Sequence, residues 1–278
     1  MQIVSLFDGM ACGYEALLKA WVTVDKYYAS EIDKYAMQVA LKNHPNIVEV
    51  GDVTKMAWSD YNGIDLLIWG SPCQWFSGVG KQLAFDDPRS KLFFEFVRLK
   101  NELNPKYFLL ENVKMRQERV DIISGYLWVE PIEINSALVS AQNRKRLYWT
   151  NIPNVTIPED KNIVLKDVLL DSVDEKYYLS DKQIEMIDHR KWFERPLDRI
   201  KDPSDKIGTL TTHVGKFSNG IKLVRDTIGV RRLTPVECER LQTLPDNYTY
   251  GVSDSQRYKM LWNWWTVDVI AHIFSFIN

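Results

Sequence analysis

Short β-rich runs alternate with helix-forming stretches through the first half of the chain. IVSLF, VDKYYAS, IVEV, DLLIW and KYFLLE are the β-rich runs, and GYEALLKA and DKYAMQVALKN lie between the first three of them. Strands that alternate with helices pair in parallel, because each helix returns the chain to the starting edge of the sheet. The pattern therefore predicts an α/β fold, a doubly wound and mostly parallel sheet with helices on both faces.

One helix is predicted in detail, over residues 87–104. Asp87 is a suitable N-cap, and Pro88 is a suitable first helical residue. Apolar residues then recur at helical spacing, at Leu92, Phe93, Phe96, Leu99 and Leu103. We expect this apolar face to pack against the sheet.

The alternating pattern loosens between about 156 and 230. Charges cluster in HRKWFERPLDRIKDPSDK, and Gly, Ser and Thr interrupt segments such as TLTTHVGKFSNGIKLV. The final stretch, RYKMLWNWWTVDVIAHIFSFIN, is again apolar and helix-like, so we expect it to return to the first layer. The predicted division is a main domain of 1–155 plus 231–278 and a smaller inserted region of 156–230.

Charge and cysteine content argue against several protein classes. Lys and Arg total 35 against 37 Asp and Glu, so no global positive field indicates nucleic acid. No apolar run reaches the roughly 18 residues that span a bilayer, and the first residues lack the pattern of a secretion signal, so we expect a cytoplasmic protein. Cys12, Cys73 and Cys238 form no CxxC pair, which argues against a disulfide framework and a structural metal site.

Acidic residues follow successive predicted strands. In SLFDGMACG, Gly9 and Gly13 would let the backbone approach a ligand at a helix N-terminus. Glu31 stands where an acid binds ribose hydroxyls in nucleotide sites, and Asp52 is placed to bind an adenine amino group. Each acid alone could be an ordinary loop or cap residue. Their joint position at the ends of neighbouring strands favours a nucleoside cofactor.

Two further candidates, Cys73 and Glu111, follow the fourth and fifth strands. A free cysteine is more often a small buried hydrophobe than a nucleophile, but Pro72 and the loop context of GSPCQ favour exposure. Glu111 is placed either to cap the next helix or to act as an acid. Arg144 and Arg146 have strand-like spacing that directs both side chains to one face, although a solvated basic edge strand is the alternative.

In combination, these segments resemble the C5-type DNA cytosine methyltransferases. SLFDG, SEID, GDV, GSPCQ, FLLENV, QNRKRLYW and RRLTPVECERLQTLPDNYT occur in the order of that family, over nearly the whole chain except 156–230. The short FDG motif and compact length look closest to phage or prophage enzymes and to the catalytic domains of animal de novo methyltransferases. The resemblance implies the S-adenosylmethionine-dependent methyltransferase fold, S-adenosylmethionine as cofactor, and double-stranded DNA as substrate. It also implies that 156–230 is the target recognition region.

The resemblance also implies roles for individual residues. Cys73 would be the nucleophile, and Glu111 would contact N3 and the exocyclic amine of the target cytosine. Arg144 would contact the cytosine O2, and Arg146 belongs to the same catalytic set. Arg240 to Gln242 match a motif that supports the target recognition region. The implied cofactor-binding residues are Phe7, Asp8, Gly9, Met10, Cys12, Glu31, Ile32, Asp52, Val53, Pro72, Asn263 and Trp265.

The chemistry explains why the reaction needs these residue types. Cytosine C5 is a poor nucleophile, and addition of a thiolate at C6 makes C5 enamine-like and able to attack a sulfonium methyl group. A cation near the thiol favours the thiolate. The cytosine must first leave the helical stack, so we expect base flipping and a loop, roughly 75–87, that closes behind it.

Six tryptophans stand where the family pattern leads us to expect glycine or another small residue. They are Trp21, Trp69, Trp75, Trp128, Trp262 and Trp264. Trp21 and Trp128 fall where a helix gives way to a strand, a position that favours glycine. The chain has 13 glycines, whereas average usage of about 7% gives roughly 19. Either UGA codons that mean glycine were translated as tryptophan, or genuine tryptophans overpack the cofactor rim.

Two alternative functions remain open from the sequence. An RNA cytosine-5 methyltransferase would use the same chemistry. A catalytically impaired homologue that binds DNA or a partner would explain the tryptophans, but the presence of Cys73, Glu111 and Arg144 speaks against it.

Overall fold

The computed structural model of the chain describes residues 1–55, 61–70, 88–189, 200–211 and 221–277. The helices in these ranges are α1 (Cys12–Lys19), α2 (Lys34–Asn43), α3 (Pro88–Leu103), α4 (Gln117–Leu127), α5 (Asp181–His189), α6 (Pro235–Leu241), α7 (Asp254–Asn263) and α8 (Val267–Phe274). The strands are β1 (Gln2–Leu6), β2 (Lys26–Ser30), β3 (Val48–Glu49), β4 (Leu66–Gly70), β5 (Tyr107–Val113), β6 (Ile132–Asn135), β7 (Gln142–Asn143), β8 (Lys145–Thr150), β9 (Ile200–Lys201), β10 (Ile207–Gly208), β11 (Leu223–Arg225) and β12 (Val230–Arg232).

The main sheet contains seven of the described strands, in the order β3-β2-β1-β4-β5-β8-β6. Strand β1 pairs in parallel with β2 and β4, β2 with β3, and β4 with β5. Strand β8 runs antiparallel to β5. The strand order changes direction between β1 and β4, which is the point where open α/β sheets bind ligands. The predicted doubly wound, mostly parallel sheet is confirmed.

Helix α3 covers one face of this sheet. The helix predicted at 87–104 is found at Pro88–Leu103, while Asp87 lies outside the described residues. Phe93, Phe96 and Leu99 are buried in the same core cluster as residues of β4 and β5. Each such burial contributes about 1.5–3 kcal/mol, so packing rather than local propensity fixes the helix.

Helix α8 returns the end of the chain to the first layer, as predicted. It packs against α1, and Lys19 Nζ lies 2.8 Å from Asp268 Oδ1. Ile270 and Ile273 are fully buried.

Among the described helices, none has the length and apolar character that crossing a membrane requires.

Contacts along the chain define two compact units. The first contains Met1–Ile134, Lys145–Ile157 and Val267–Asn278, and the second contains Asn135–Arg144 and Pro158–Thr266. Within the second unit, β11 pairs antiparallel with β12 and parallel with β9, over a small core of Ile221, Leu223 and Val230. The stretch 231–266 thus groups with most of the inserted region predicted at 156–230.

A buried arginine holds the RRLTPVEC segment of the second unit together. Arg231 donates to both carboxylate oxygens of Glu237, at 2.8 and 2.9 Å, and to Asp226 at 2.6 Å. Glu237 also accepts from the backbone N–H of Thr234, whose hydroxyl accepts from Glu237 N in return. This reciprocal capping, with Pro235 as the first helical residue, fixes where α6 begins.

Trp21 and Trp128 have a left-handed backbone at helix ends. Their φ angles are 59° and 61°, and their side chains are 93% and 87% exposed. After α1, Trp21 N donates to Leu18 O and Val22 N donates to Leu17 O, the hydrogen-bond pair of a Schellman motif. The left-handed conformation expected at these two helix ends is confirmed.

The remaining unexpected tryptophans have different surroundings. Trp69 is fully buried and packs against Phe93 and Phe96. Trp262 lies in α7 and buries its indole N–H with no acceptor among the described residues, whereas Trp264 is extended, with φ −102°. Trp75 lies outside the described residues. The backbone therefore favours glycine at 21 and 128, but not at 262 or 264.

Replacing the two strained tryptophans with glycine should stabilise the protein. We expect Trp21→Gly and Trp128→Gly each to raise the free energy of unfolding by about 1 kcal/mol, because glycine adopts a left-handed backbone without steric cost. Urea unfolding would show a higher midpoint at an unchanged slope. The matched control, Leu18→Gly in α1, should lower stability by about 1 kcal/mol. A loss of stability in both tryptophan variants would contradict the strain.

Candidate functional site

The loop between β1 and α1 alternates through left-handed backbone. Phe7, Gly9 and Ala11 have φ angles of 53°, 61° and 63°. At the two non-glycine positions this conformation costs about 1–3 kcal/mol each, so surrounding contacts must impose it. Such strain, at the carboxyl end of a central parallel strand, is typical of a ligand-binding loop.

The Glu31 carboxylate joins this loop to the one after β2. It accepts hydrogen bonds from the backbone N–H groups of Gly9 at 2.8 Å, Ile32 at 2.7 Å and Asp33 at 2.8 Å. Carboxylate oxygens have several lone pairs, so Glu31 keeps capacity for hydroxyl donors of a ligand. The neighbouring Ile32 side chain is 77% exposed and offers an apolar surface suited to a flat ring.

Asp8 is a buried acid behind the same loop. The Tyr27 hydroxyl donates to its Oδ1, and its Oδ2 has no hydrogen-bond partner among the described residues. Burial raises the pKa of Asp8 to about 6, and Glu31 adds to this, while interactions with Ser5 and Tyr27 lower it. A buried acceptor without a donor indicates a position where a ligand donor would be favourable.

Glu49 is a further acid at this edge, and the sequence analysis missed it. It pairs in register with Ala29 at the end of β3, and neither carboxylate oxygen has a partner among the described residues. Burial, followed by the charges of Asp8 and Glu31, raises its pKa to about 7. A charged residue inside the apolar run IVEV is the sequence signal that could have indicated it.

Asp52 lies at the rim after β3. Its Oδ1 accepts from Thr54 N at 3.0 Å and from the Thr54 hydroxyl at 2.8 Å, and these bonds lower its pKa. The next residue, Val53, is buried at the start of a 3₁₀ turn. Met10 and Cys12 are also buried, so their side chains do not face solvent.

These residues suit a nucleoside cofactor with hydroxyl and amino donors. Acceptor oxygens of Asp8, Glu31, Glu49 and Asp52 follow three adjacent strands at their carboxyl ends, and some are buried without a donor among the described residues. Ile32 supplies the apolar surface beside them. Within the described ranges, no group of three or more His, Cys, Asp and Glu side chains is arranged to hold a metal ion.

Glu111 and Arg146 form an ion pair between neighbouring strands. Arg146 Nε lies 2.9 Å from Glu111 Oε1, and both side chains are largely buried. The antiparallel register of β5 and β8 brings them together, since Glu111 pairs with Tyr148, two residues beyond Arg146. Glu111 also pairs in register with Gly70, the last residue of β4. Pro72, Cys73 and the predicted closing loop at 75–87 follow Gly70 and lie outside the described residues.

Arg144 lies between strands rather than within one. Strand β7 ends at Asn143 and β8 begins at Lys145, so the strand spacing assumed for the two arginines is interrupted. The buried Arg144 guanidinium donates to the main-chain carbonyls of Trp262 at 3.3 Å and Trp264 at 3.0 Å. The two arginines therefore have different hydrogen-bonding partners. Asn263 and the buried Trp265 belong to the segment that Arg144 contacts.

Comparisons with known proteins agree with this architecture. The family model described as C-5 cytosine-specific DNA methylase matches residues 1–120 and 136–278. The type II methyltransferase M1.ScrFI of Lactococcus lactis subsp. cremoris is 32% identical, over 94% of this chain and 74% of its own. M.NlaX, a type II methyltransferase of Neisseria lactamica, is 30% identical over 98% of this chain and 94% of its own. The crystal structure of S. pombe Dnmt2 methyltransferase superposes with a TM-score of 0.80 at 18% identity, over 99% and 97% of the two chains, and shares the fold.

The buried acid at position 8 should make stability depend on pH. Because burial raises the pKa of Asp8 from its ordinary 3.8 to about 6, the folded chain holds this proton more tightly than the unfolded chain, and stability falls as pH rises through that window. Asp8→Asn cannot ionise, so we expect it to be more stable than the unmodified protein at pH 8 by about 1–3 kcal/mol, with the difference vanishing near pH 4.

Urea unfolding at both pH values measures this difference. Asp52→Asn is the matched control with the opposite sign. The lowered pKa of Asp52 contributes stability above its ordinary range, so Asp52→Asn should be less stable than the unmodified protein at pH 8. Equal pH dependence in Asp8→Asn and the unmodified protein would show that Asp8 is not responsible.

Proposed function

The chain belongs to the C-5 cytosine-specific DNA methylase family, and from this premise we propose how its residues carry out DNA cytosine-5 methylation. The observation that carries the proposal is the Glu111–Arg146 ion pair. Glu111 of this pair lies in β5 and is in register with Gly70, the last residue of β4. Cys73 follows Gly70 by three positions. An acid, a cation and a nucleophilic cysteine are the groups that attack on a cytosine ring requires.

The carboxyl edge of the first strands would hold S-adenosylmethionine, which supplies an electrophilic methyl group when bound. In this proposal Glu31 accepts from the ribose hydroxyls and Asp52 from the adenine amino group. Ile32 and Phe7 contact the rings, and the loop of Asp8 to Met10 shapes the pocket. Asp8 Oδ2, which has no hydrogen-bond partner among the described residues, and the exposed Ile32 side chain support this assignment. Asn263, Trp265 and Pro72 complete the residues that the family resemblance implies.

Cys73 is the proposed nucleophile. Its thiolate adds to C6 of the target cytosine, which raises the electron density at C5, and after methyl transfer the C5 proton is lost and the thiolate is expelled. The other two cysteines are unsuited to this role. Cys12 and Cys238 are both buried, and burial raises the pKa of the Cys238 thiol well above its ordinary value.

Glu111 would contact N3 and the exocyclic amine of the ring. In this role the carboxyl group would donate a proton to N3. Arg146 orients the carboxyl group and adds positive charge near the ring, which stabilises negative charge as it develops. We assign the arginine beside the ring to Arg146, because Arg146 is paired with Glu111 whereas Arg144 donates to backbone carbonyls.

The remaining parts of the proposal concern DNA. A stacked cytosine does not expose C6 to a thiolate, so the base must flip out of the duplex. We assign sequence recognition to 156–230, with phosphate contacts from the basic residues of 189–201, because Arg144 and Arg146 are largely buried and already engaged with other groups. The names of the similar type II methyltransferases favour a role in restriction and modification of a defined DNA sequence.

Covalent trapping tests the nucleophile. DNA that carries 5-fluorocytosine has no C5 proton to lose, so the protein should remain attached to it in a denaturing gel when S-adenosylmethionine is present. We expect the adduct with the unmodified protein and with Cys238→Ala, but not with Cys73→Ala. A random-sequence library methylated by the protein and read by bisulfite sequencing would give the recognised bases. An adduct that survives Cys73→Ala, or that forms on RNA but not DNA, would contradict the proposal.

Substitution of the acid tests the second catalytic group. We expect Glu111→Gln to lower kcat by about 10²–10⁴-fold, because an amide cannot transfer a proton to the ring. S-adenosylmethionine affinity, measured by calorimetry, should change little. Glu133→Gln is the matched control, since Glu133 also pairs with a cation, Lys114, at 2.9 Å but is more exposed. Equal kcat values for the two variants would exclude the proposed role of Glu111.

A further inference from the structure

The side-chain amide of Gln242 is fully buried at the end of α6 and has all of its hydrogen-bonding positions filled. Its Nε2 donates to Leu261 O at 2.5 Å and to Trp264 O at 3.2 Å. Its Oε1 accepts from the Thr266 hydroxyl at 3.0 Å and from Gln142 Nε2 at 3.3 Å. Three of these four bonds therefore go to one segment, residues 261–266, which we call the interhelix segment.

The interhelix segment needs such partners because of its position. It contains the last turn of α7 and the extended residue Trp264, before the chain enters α8. The last carbonyls of a helix have no partner within that helix, and a buried carbonyl left without a donor is costly. Side chains from elsewhere in the chain must supply the donors.

Arg144 supplies further donors to this segment. Its guanidinium binds Trp262 O and shares the Trp264 carbonyl with Gln242. A cation at a helix C-terminus is also favoured by the helix dipole. All of these acceptors on 262 and 264 are main-chain oxygens, so the contacts do not depend on which side chains stand at those positions.

The neighbouring residue of the same motif acts elsewhere. Arg240 forms an ion pair with Asp246 at 2.7 Å and donates to the carbonyls of Val168 and Leu169, within the inserted region. The Gln242 amide makes no hydrogen bond to 156–230 among the described residues. The motif is therefore divided, with Arg240 supporting the inserted region and Gln242 supporting the interhelix segment.

We propose that Gln242 is a positioning residue for cofactor binding: it holds the interhelix segment, and with it Asn263 and Trp265, without touching the cofactor itself. This inference rests on the proposed function, which places Asn263 and Trp265 at S-adenosylmethionine. It extends that function by assigning part of the cofactor affinity to a residue of the motif that the sequence links to target recognition.

Gln242→Met tests the proposal, because methionine has a similar shape but cannot make the four hydrogen bonds. We expect the Kd for S-adenosylmethionine, measured by calorimetry, to rise about tenfold. The KM for the cofactor should rise in parallel while the KM for DNA stays unchanged. Thr266→Val removes only one of these hydrogen bonds, so it should raise the Kd and the KM for the cofactor by about threefold. This second variant provides the same test if Gln242→Met does not fold.

Thr249→Val is the matched control. Thr249 is equally buried in the same unit, where its hydroxyl donates to Glu239 and accepts from Arg257 Nε at 2.8 Å, away from the interhelix segment. We expect Thr249→Val to lower the melting temperature about as much as Gln242→Met, with cofactor affinity changed less than twofold. Unchanged cofactor affinity in Gln242→Met, at a similar loss of stability, would overturn the proposal.

Hydrogen exchange separates this inference from the proposed function. In the cofactor-free protein, backbone amides of 261–266 should exchange faster in Gln242→Met than in Thr249→Val. If the unmodified protein fails to bind S-adenosylmethionine but this difference is found, the proposed function fails and the positioning of the segment stands. Equal exchange in the two variants would overturn the positioning role, whatever the cofactor result.

Discussion

Strand β1 pairs in parallel with β2 on one side and with β4 on the other, along nearly its whole length. Parallel pairing requires a crossover after each strand, so the carboxyl ends of β1, β2, β3, β4 and β5 meet at one edge. Asp8, Glu31, Asp52 and Glu111 lie at this edge. The Glu31 carboxylate then fixes the loops after β1 and β2 by accepting hydrogen bonds from three backbone N–H groups.

The same edge concentrates unfavourable interactions. Two non-glycine residues of the first loop have left-handed backbone, and the carboxyl groups of Asp8 and Glu49 are buried with raised pKa values. Neither feature stabilises the folded chain. The buried acids become favourable if a ligand brings donors and positive charge, which is the ordinary compromise between stability and function at a binding site.

Sequence reasoning succeeded where a residue acts through its neighbours in the chain. The α3 pattern, the order of the strands and the glycine-like ends of α1 and α4 all follow from local spacing and local backbone preference. It was incomplete at Arg144 and Arg146, whose separation of two suggested one strand face, because the interruption between β7 and β8 depends on distant partners. Glu49 was missed, and Gln242 was interpreted only as part of a supporting motif, for the same reason. The significance of both comes from residues far along the chain.

The sequence by itself determined the fold class, the family, and the set of residue types that the chemistry uses, because periodicity and motif order are written along the chain. Only the tertiary structure decided which arginine accompanies Glu111 and which residue of the RRLTPVECERLQ motif holds the interhelix segment. Those choices depend on hydrogen bonds between residues separated by about twenty to more than a hundred positions, such as Gln242 with Trp264 and Arg144 with Trp264. Spacing along a chain carries no information about such contacts until packing brings the segments together.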